Sequence, residues 1–274
     1  LAAAGRRQRV LLRVTPGIEA HTHDFIQTGQ IDSKFGFGLA GGLARDAIER
    51  AMASPWLDLW GLHAHIGSQI FELGAFRSEI SVLADLLKET REAFGFECRW
   101  LNAGGGLGIK YTADDTPATI QAYAEVKCRG LREEMARVDL PVPRILVEPG
   151  RSIVAKAGIT AYTVGTVKKL PGIRTYVSVD GGMSDNIRPM LYEAEYEVMI
   201  ANKVDHEPDT VVRVVGKHCE SSDVLVKEAR LVSPEPGDIL VTPVTGAYCF
   251  AMASNYNGSC RPAVVMVNNG KARV

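Results

Sequence analysis

The spacing of apolar positions changes character near residue 150. Up to Val147, short apolar and β-branched runs alternate with stretches in which apolar residues recur every three to four positions. Residues 9–14 read as a strand stopped by Thr15-Pro16-Gly17, 41–53 as a helix ended by Ser54-Pro55, and 57–66 as a second strand. Residues 74–94 read as an amphipathic helix, 98–103 as a third strand, 117–137 as another helix, and 144–147 as a fourth strand. Residues 18–38 read as a long loop, and loops of that length tend to carry function. After Ser152 almost everything reads as strand and turn. Runs at 159–167, 175–179, 210–215, 224–226, 238–244 and 263–267 are separated by turns such as Pro171-Gly172, Pro236-Gly237 and Asn269-Gly270.

This pattern predicts an α/β half followed by an all-β half. Four strand–helix units of this length predict a parallel sheet with right-handed crossovers. The polar and glycine-rich residues collect just after strand ends, where a βα-barrel places its active site. Such a barrel needs about eight strands, so the first half is either an open sheet or half of a barrel whose start is missing. The second half fits an antiparallel barrel or sandwich. Asn269-Gly270 is a strong hairpin signal, but only four residues follow it. Its return strand is not expected to be completed, and the C-terminus also reads as cut.

Composition narrows the function classes. With 46% hydrophobic and 23% charged residues over 274 positions, and a net charge of −1, the chain has no electrostatic reason to partner nucleic acid or an anionic membrane. No apolar run approaches the ~18 residues needed to span a bilayer. Five cysteines, odd in number and without a C-x-x-C, fit free thiols in a reducing cytoplasm.

The candidate chemistry lies at strand ends. Ile145-Leu146-Val147 leads into Glu148-Pro149-Gly150-Arg151, which sets an acid, a rigid turn and an arginine within four residues. A carboxylate there needs a cationic or hydrogen-bonding partner; the alternative is a surface turn with an incidental ion pair. His63 and His65 share one face at period two. His63 reads as a satisfied core histidine, whereas His65, followed by Gly67 and Ser68, lies nearer the strand end and a ligand. The run Gly104-Gly105-Gly106-Leu107-Gly108 lets backbone N–H groups close on an anion, and it departs from the dinucleotide fingerprint. His21 and His23 lack a third ligand, so no metal is expected. In the second half, polar segments at 180–192, 216–223 and 245–248 interrupt the strands. Cys219 beside Glu220 on a glycine-led loop is the arrangement a positioned thiol proton donor needs. Together these segments predict a site for a charged, hydrogen-bonding small molecule.

The ordered series His-Ile-Gly-Ser-Gln, Gly-Gly-Gly-Leu-Gly, Glu-Pro-Gly-Arg, Asp-Gly-Gly-Met-Ser-Asp-Asn-Ile-Arg-Pro, His-Cys-Glu-Ser and Gly-Ala-Tyr resembles the diaminopimelate decarboxylases, in the alanine-racemase-like (fold-type III) class of pyridoxal-phosphate enzymes. The resemblance implies a partial cofactor-binding (βα)8 barrel over residues 1–153 and a C-terminal β-domain over 154–274. It implies decarboxylation of meso-2,6-diaminopimelate to L-lysine and CO2 with pyridoxal 5'-phosphate. By the same resemblance, His65 would stack on the pyridine ring, and Ser68, Gly104, Gly105 and Gly106 would bind the phosphate. Glu148, in the motif with Pro149 and Gly150, would pair with the ring nitrogen, and Arg151 would reach phosphate and substrate. Arg188 and Tyr192 would bind substrate carboxylate, Cys219 would donate the proton, Glu220 would hold the distal ammonium, and Tyr248 would contact both cofactor and substrate. Cys219 and Glu220 would come from the other subunit of a homodimer.

The lysine that holds the cofactor covalently in that family lies in an early barrel strand, ahead of the residues given. Lys156 follows the Glu-Pro-Gly-Arg motif and is rejected as its replacement. Residues 1–274 alone are therefore not expected to form a stable, active enzyme. The competing readings are a sister decarboxylase acting on ornithine, lysine or arginine, and a relative that binds the cofactor without turnover.

Overall fold

A computed structural model describes residues 1–18 and 34–274; His21, His23 and Ser33 fall outside them. The described residues divide into two compact units, Leu1–Ile109 with Thr116–Gly150, and Lys110–Asp115 with Arg151–Val274.

The first unit is built on a parallel sheet. Strands β1 (Gln8–Thr15), β2 (Phe37–Gly38), β3 (Leu57–His63), β4 (Trp100–Asn102) and β5 (Arg144–Leu146) lie in the order β2-β1-β3-β4-β5. Four of them match the expected strands. The fifth, β2, corrects the reading of 18–38 as loop: Phe37 and Gly38 pair with Val14 and Thr15 as a two-residue edge, too short for any periodicity to register. The second strand stops at His63 rather than Ile66, although Ala64 still donates to the Asn102 carbonyl at 2.9 Å.

Helices α1 (Leu43–Ala53), α2 (Leu73–Phe94) and α3 (Ile120–Arg137) follow the apolar spacing. On α2, Phe76, Ile80, Leu83, Ala84 and Leu87 form the buried stripe, and Gly95 in the left-handed region ends the helix. Ile80, Leu83, Ala84 and Leu87 pack with Val14, Leu62, Leu101, Leu131 and Met135 into one core, and Phe76 joins Ile66, Ile70, Leu107 and Tyr123 in a second cluster. Parallel register places Arg13, His63, Asn102 and Leu146 in a single row across β1, β3, β4 and β5, at the ends of the strands.

The second unit is mainly antiparallel. After a short helix α4 (Gly150–Val154), strands β6 (Thr160–Leu170), β7 (Arg174–Val179), β8 (Met199–Ile200), β9 (Thr210–Val215), β10 (Val224–Leu231) and β11 (Ile239–Thr242) form one sheet, ordered β10-β9-β7-β6-β11-β8. One neighbouring pair, β7 with β9, runs parallel. The strands alternate buried and exposed positions, and Tyr162, Val164, Val177, Val212, Val214 and Leu240 fill the core.

Two expectations are corrected here. The second unit is not strand and turn throughout, because helix α5 (Arg188–Tyr192) forms where Pro189 sits in the first helical turn, a position that suits its fixed φ. The terminal hairpin does complete its return strand. β12 (Met266–Asn268) pairs with β13 (Lys271–Arg273) in register, from Met266↔Arg273 to Asn268↔Lys271. Asn269 and Gly270 turn at φ 48° and 71°, the signs a two-residue turn requires, so three residues suffice.

Candidate active site

In the first unit, the strand-end row leads into a glycine loop. Asn102 ends β4 and bonds in two directions: its Nδ2 donates to Glu148 Oε1 at 2.6 Å, and its Oδ1 accepts from Gly104 N at 3.0 Å. Glu148 is thereby aimed by a side chain from the neighbouring strand, while its own N–H donates to the Gly104 carbonyl at 2.7 Å. Pro149 and Gly150 complete a tight turn, in which Gly150 N donates back to the Glu148 carbonyl at 2.8 Å. The glycines at 104–106 are required by contact as well as by conformation. Gly104 and Gly106 have φ 58° and 97°, and a Cβ on Gly105 would overlap the Glu148 carbonyl oxygen.

The Gly-Ser-Gln segment that carries Ser68 is fastened to the far side of this loop. Ile70 N donates to the Gly106 carbonyl at 2.9 Å, Gly108 N donates to the Ile70 carbonyl at 2.9 Å, and the Gln69 amide pairs with both backbone groups of Ile109.

His65 accepts at Nδ1 from Gly105 N, at 3.2 Å. That bond requires Nδ1 to be unprotonated. Burial, helped by Arg13 and His63, holds the His65 imidazole down to about 4, so the ring is neutral near pH 7. His63 Nε2 lies 3.7 Å from Glu148 Oε2, and burial also lowers its pKa. Arg13, which the sequence reading passed over as an ordinary strand residue, faces the same group of charges. Burial lowers its pKa and Glu148 partly restores it. The signal that could have found Arg13 is parity along β1, since it stands in register with His63.

The second unit holds a different cluster. Arg151, on α4, is buried; its Nη1 donates to the Tyr111 hydroxyl at 2.6 Å, and its guanidinium lies 4.5 Å from the Tyr248 ring centroid. Arg188 opens α5, is also buried, donates to the Tyr196 hydroxyl, and stacks 4.9 Å from the Tyr111 ring centroid. Tyr111 and Tyr196 meet edge to face at 5.2 Å. Tyr248 is held at φ 65°, an uncommon conformation for a non-glycine residue. Arg151, Arg188 and Tyr248 are thus brought together, and two tyrosines that the sequence reading missed organise them. Tyr192 is half-buried on the same α5 helix.

Cys219 and Glu220 are exposed on the 216–223 loop, where the Tyr256 hydroxyl donates to Glu220. The buried Asp223 carboxylate moors that loop by accepting from His218 N at 2.9 Å and Met183 N at 2.7 Å. Lys156 stands exposed on the 3₁₀ turn Ala155–Ala157. Among the described residues, no group of three or more His, Cys, Asp or Glu is arranged to hold a metal ion, and no helix is long and apolar enough to cross a membrane.

Curated proteins and solved structures resemble this chain along nearly its whole length. Curated diaminopimelate decarboxylases from Bacillus subtilis (strain 168) and Synechocystis sp. are 49% and 47% identical to the chain, over 97% and 100% of its length. The chain spans 60% and 58% of those relatives. The solved structure of diaminopimelate decarboxylase from M. jannaschii, in complex with L-lysine, superposes with a TM-score of 0.88 at 34% identity, covering 99% of this chain and 61% of that one. The Helicobacter pylori enzyme gives 0.84 at 33% identity, covering 99% and 64%. The fold class is therefore that of the fold-type III enzymes, an α/β region followed by a β region. Residues 1–155 match the family described as "Pyridoxal-dependent decarboxylase, pyridoxal binding domain". With more than half of its length matched, this chain belongs to the pyridoxal-dependent decarboxylase family.

Proposed function

We propose that the protein decarboxylates meso-2,6-diaminopimelate to L-lysine and CO2 with pyridoxal 5'-phosphate. The observation that carries the substrate is the pair of buried arginines, Arg151 and Arg188, oriented by tyrosine hydroxyls. A substrate with an amino-acid head at each end presents carboxylates to such forks. The identity to curated diaminopimelate decarboxylases supports the same choice. A sister decarboxylase acting on ornithine, lysine or arginine is the alternative.

The residues fit the cofactor. Gly104, Gly105 and Gly106, packed too closely against neighbouring backbone for any side chain, would present bare backbone to a phosphate, with Ser68 on the adjoining segment, and the neutral His65 offers a planar ring for stacking. Glu148, aimed by Asn102, keeps a proton on the ring nitrogen. Bound pyridoxal 5'-phosphate supplies an electron sink for the charge left at Cα when CO2 departs. Arg151 and Tyr248 contact cofactor and substrate, and Arg188 and Tyr192 hold substrate carboxylate. Cys219 then gives its thiol proton to Cα and is reprotonated from solvent. Glu220 faces the distal ammonium.

Cys219 and Glu220 serve the site of a partner copy, so the working enzyme is a homodimer with shared sites, in the cytoplasm. On this reading the covalent lysine is neither Lys127, which is bonded to Glu79 and a backbone carbonyl, nor Lys156, which is exposed on its turn.

The test is CO2 release from meso-diaminopimelate, ornithine and lysine by the protein in its natural length. Only the first should be turned over well; equal rates on ornithine or lysine would overturn the substrate. Mixing Cys219→Ala with Glu148→Gln protein should restore activity in hybrid dimers. Hybrids that form without rescue would refute shared sites. Residues 1–274, treated with cofactor and borohydride, should yield no stoichiometrically labelled lysine. Labelling of Lys156 together with activity would show the lysine assignment to be wrong.

A further inference from the structure

Beneath the glycine loop lies an ion pair that the proposed chemistry does not use. Lys127 and Glu79 are 1% and 0% exposed, on the facing buried stripes of α3 and α2, and Nζ meets Oε2 at 2.9 Å. Lys127 also donates to the Ala103 carbonyl, immediately before Gly104. Its ammonium lies 4.8 and 5.3 Å from the ring centroids of Phe76 and Tyr123, which themselves meet edge to face. The Tyr123 hydroxyl reaches the carbonyls of Gly104 and Gly105 at 3.4 and 3.5 Å.

Three successive carbonyls of the loop therefore meet two helix side chains, the Gly104 carbonyl also accepting from Glu148 N at 2.7 Å. A trans peptide sets its N–H opposite its carbonyl. Holding the carbonyls of 103, 104 and 105 toward the helices turns the N–H groups of Gly104, Gly105 and Gly106 the other way. The first two of these already donate on that side, to Asn102 Oδ1 and His65 Nδ1, which leaves Gly106 N as the donor of the run that a phosphate would meet. A run of glycines has no side chains with which to hold such an orientation itself, and a buried ion pair is a costly way to gain stability alone.

We propose that Lys127, Glu79 and Tyr123 are positioning residues that preset the 104–106 backbone to receive a phosphate. The inference rests on the reading of that loop as the cofactor's phosphate site. Lys127 aims the Ala103 carbonyl, Glu79 neutralises and orients the ammonium, and Tyr123 steadies the next two carbonyls.

The test compares affinities for pyridoxal 5'-phosphate and for pyridoxal, which lacks the phosphate, with inorganic phosphate as a third probe, on the unmodified protein and a Lys127→Met/Glu79→Leu variant. Replacing both charges by apolar side chains leaves no unpaired ion. The variant should bind pyridoxal 5'-phosphate at least about tenfold more weakly, a loss of about 1.4 kcal/mol, and should bind inorganic phosphate more weakly. Its affinity for pyridoxal should stay nearly unchanged. A general structural defect would weaken pyridoxal and its phosphate alike, and that result, or no change in either, would overturn the inference. If the double variant does not fold, Tyr123→Phe decides, because it removes only a hydroxyl: a selective loss for the phosphorylated ligand supports the inference and an unchanged ratio overturns it. If the unmodified protein shows no preference for pyridoxal 5'-phosphate over pyridoxal, the phosphate-loop reading itself fails, and this inference with it.

Discussion

Lys127 in the first unit and Arg188 in the second are both buried cations, 1% and 6% exposed, yet they are partnered in opposite ways. Lys127 is neutralised by Glu79 at 2.9 Å and ties down a backbone carbonyl. Among the described residues Arg188 has no carboxylate partner; a phenol hydroxyl and two aromatic faces hold it instead. A buried cation whose charge is already matched can orient its neighbours but has little attraction left for a ligand. One held by neutral groups keeps its charge for an incoming anion, at a desolvation cost that the phenol and the ring faces only partly offset. Burial and charge alone therefore do not show whether a cation is already matched; the chemistry of the partner does.

The comparison breaks most readily at Lys127. Lys127→Met leaves Glu79 buried without a counter-charge and should destabilise the protein by about 3–5 kcal/mol in denaturant titration, with Lys127→Met/Glu79→Leu recovering most of that loss. A single variant within about 1 kcal/mol of the parent would mean that the pair is not tightly coupled.

Arg188 should show the converse. Arg188→Ala should remove about 1.5–3 kcal/mol of transition-state stabilisation from kcat/KM on meso-diaminopimelate, with the smaller effect on folding. Should stability fall as far as it does for Lys127→Met while kcat/KM holds, the two cations would not differ in the way described.

His65 extends the comparison to a buried group that stays neutral. Its folded pKa is depressed to about 4 from an ordinary 6.5, so between these values the unfolded chain binds the extra proton. The contribution is fully present above about pH 6.5 and is lost as pH falls toward 4, a drop of about 2–3 kcal/mol once partial solvent exposure is allowed for. His65→Asn should flatten that part of the stability curve. An unchanged slope would show that the imidazole is not shielded.

The smallest effect belongs at the exposed end of the scale, in the terminal hairpin. Asn269→Val places a β-branched residue at φ 48° and should cost about 1 kcal/mol locally. Faster amide exchange should be confined to β12 and β13, with cofactor binding unchanged. Exchange that speeds up in the cores of both units would show that the hairpin is not a local element.

Much of this was legible along the chain. Helices α1, α2 and α3 and the four longer strands of the first unit follow local periodicity, and the glycine run marks a tight loop whose positive φ and close backbone approaches admit no side chain. Motif order pointed to the family for the same reason, since each motif is a short local stretch. The short elements were not legible: Phe37–Gly38 and the terminal return strand are decided by the partner they pair with, and α5 is a single turn set by Pro189.

The site's supporting residues were not legible either, because their roles are relations between distant positions. Arg13 is an ordinary strand residue until the parallel register sets it beside His63. Asn102 takes its meaning from Glu148, Tyr111 from Arg151, and Lys127 from Glu79. Sequence by itself determined the periodic elements, the glycine loop and the family, because those depend on neighbours along the chain. Which buried charge is matched by an opposite one and which is held by neutral groups was decided only by tertiary structure, because electrostatic partnership depends on distance in space.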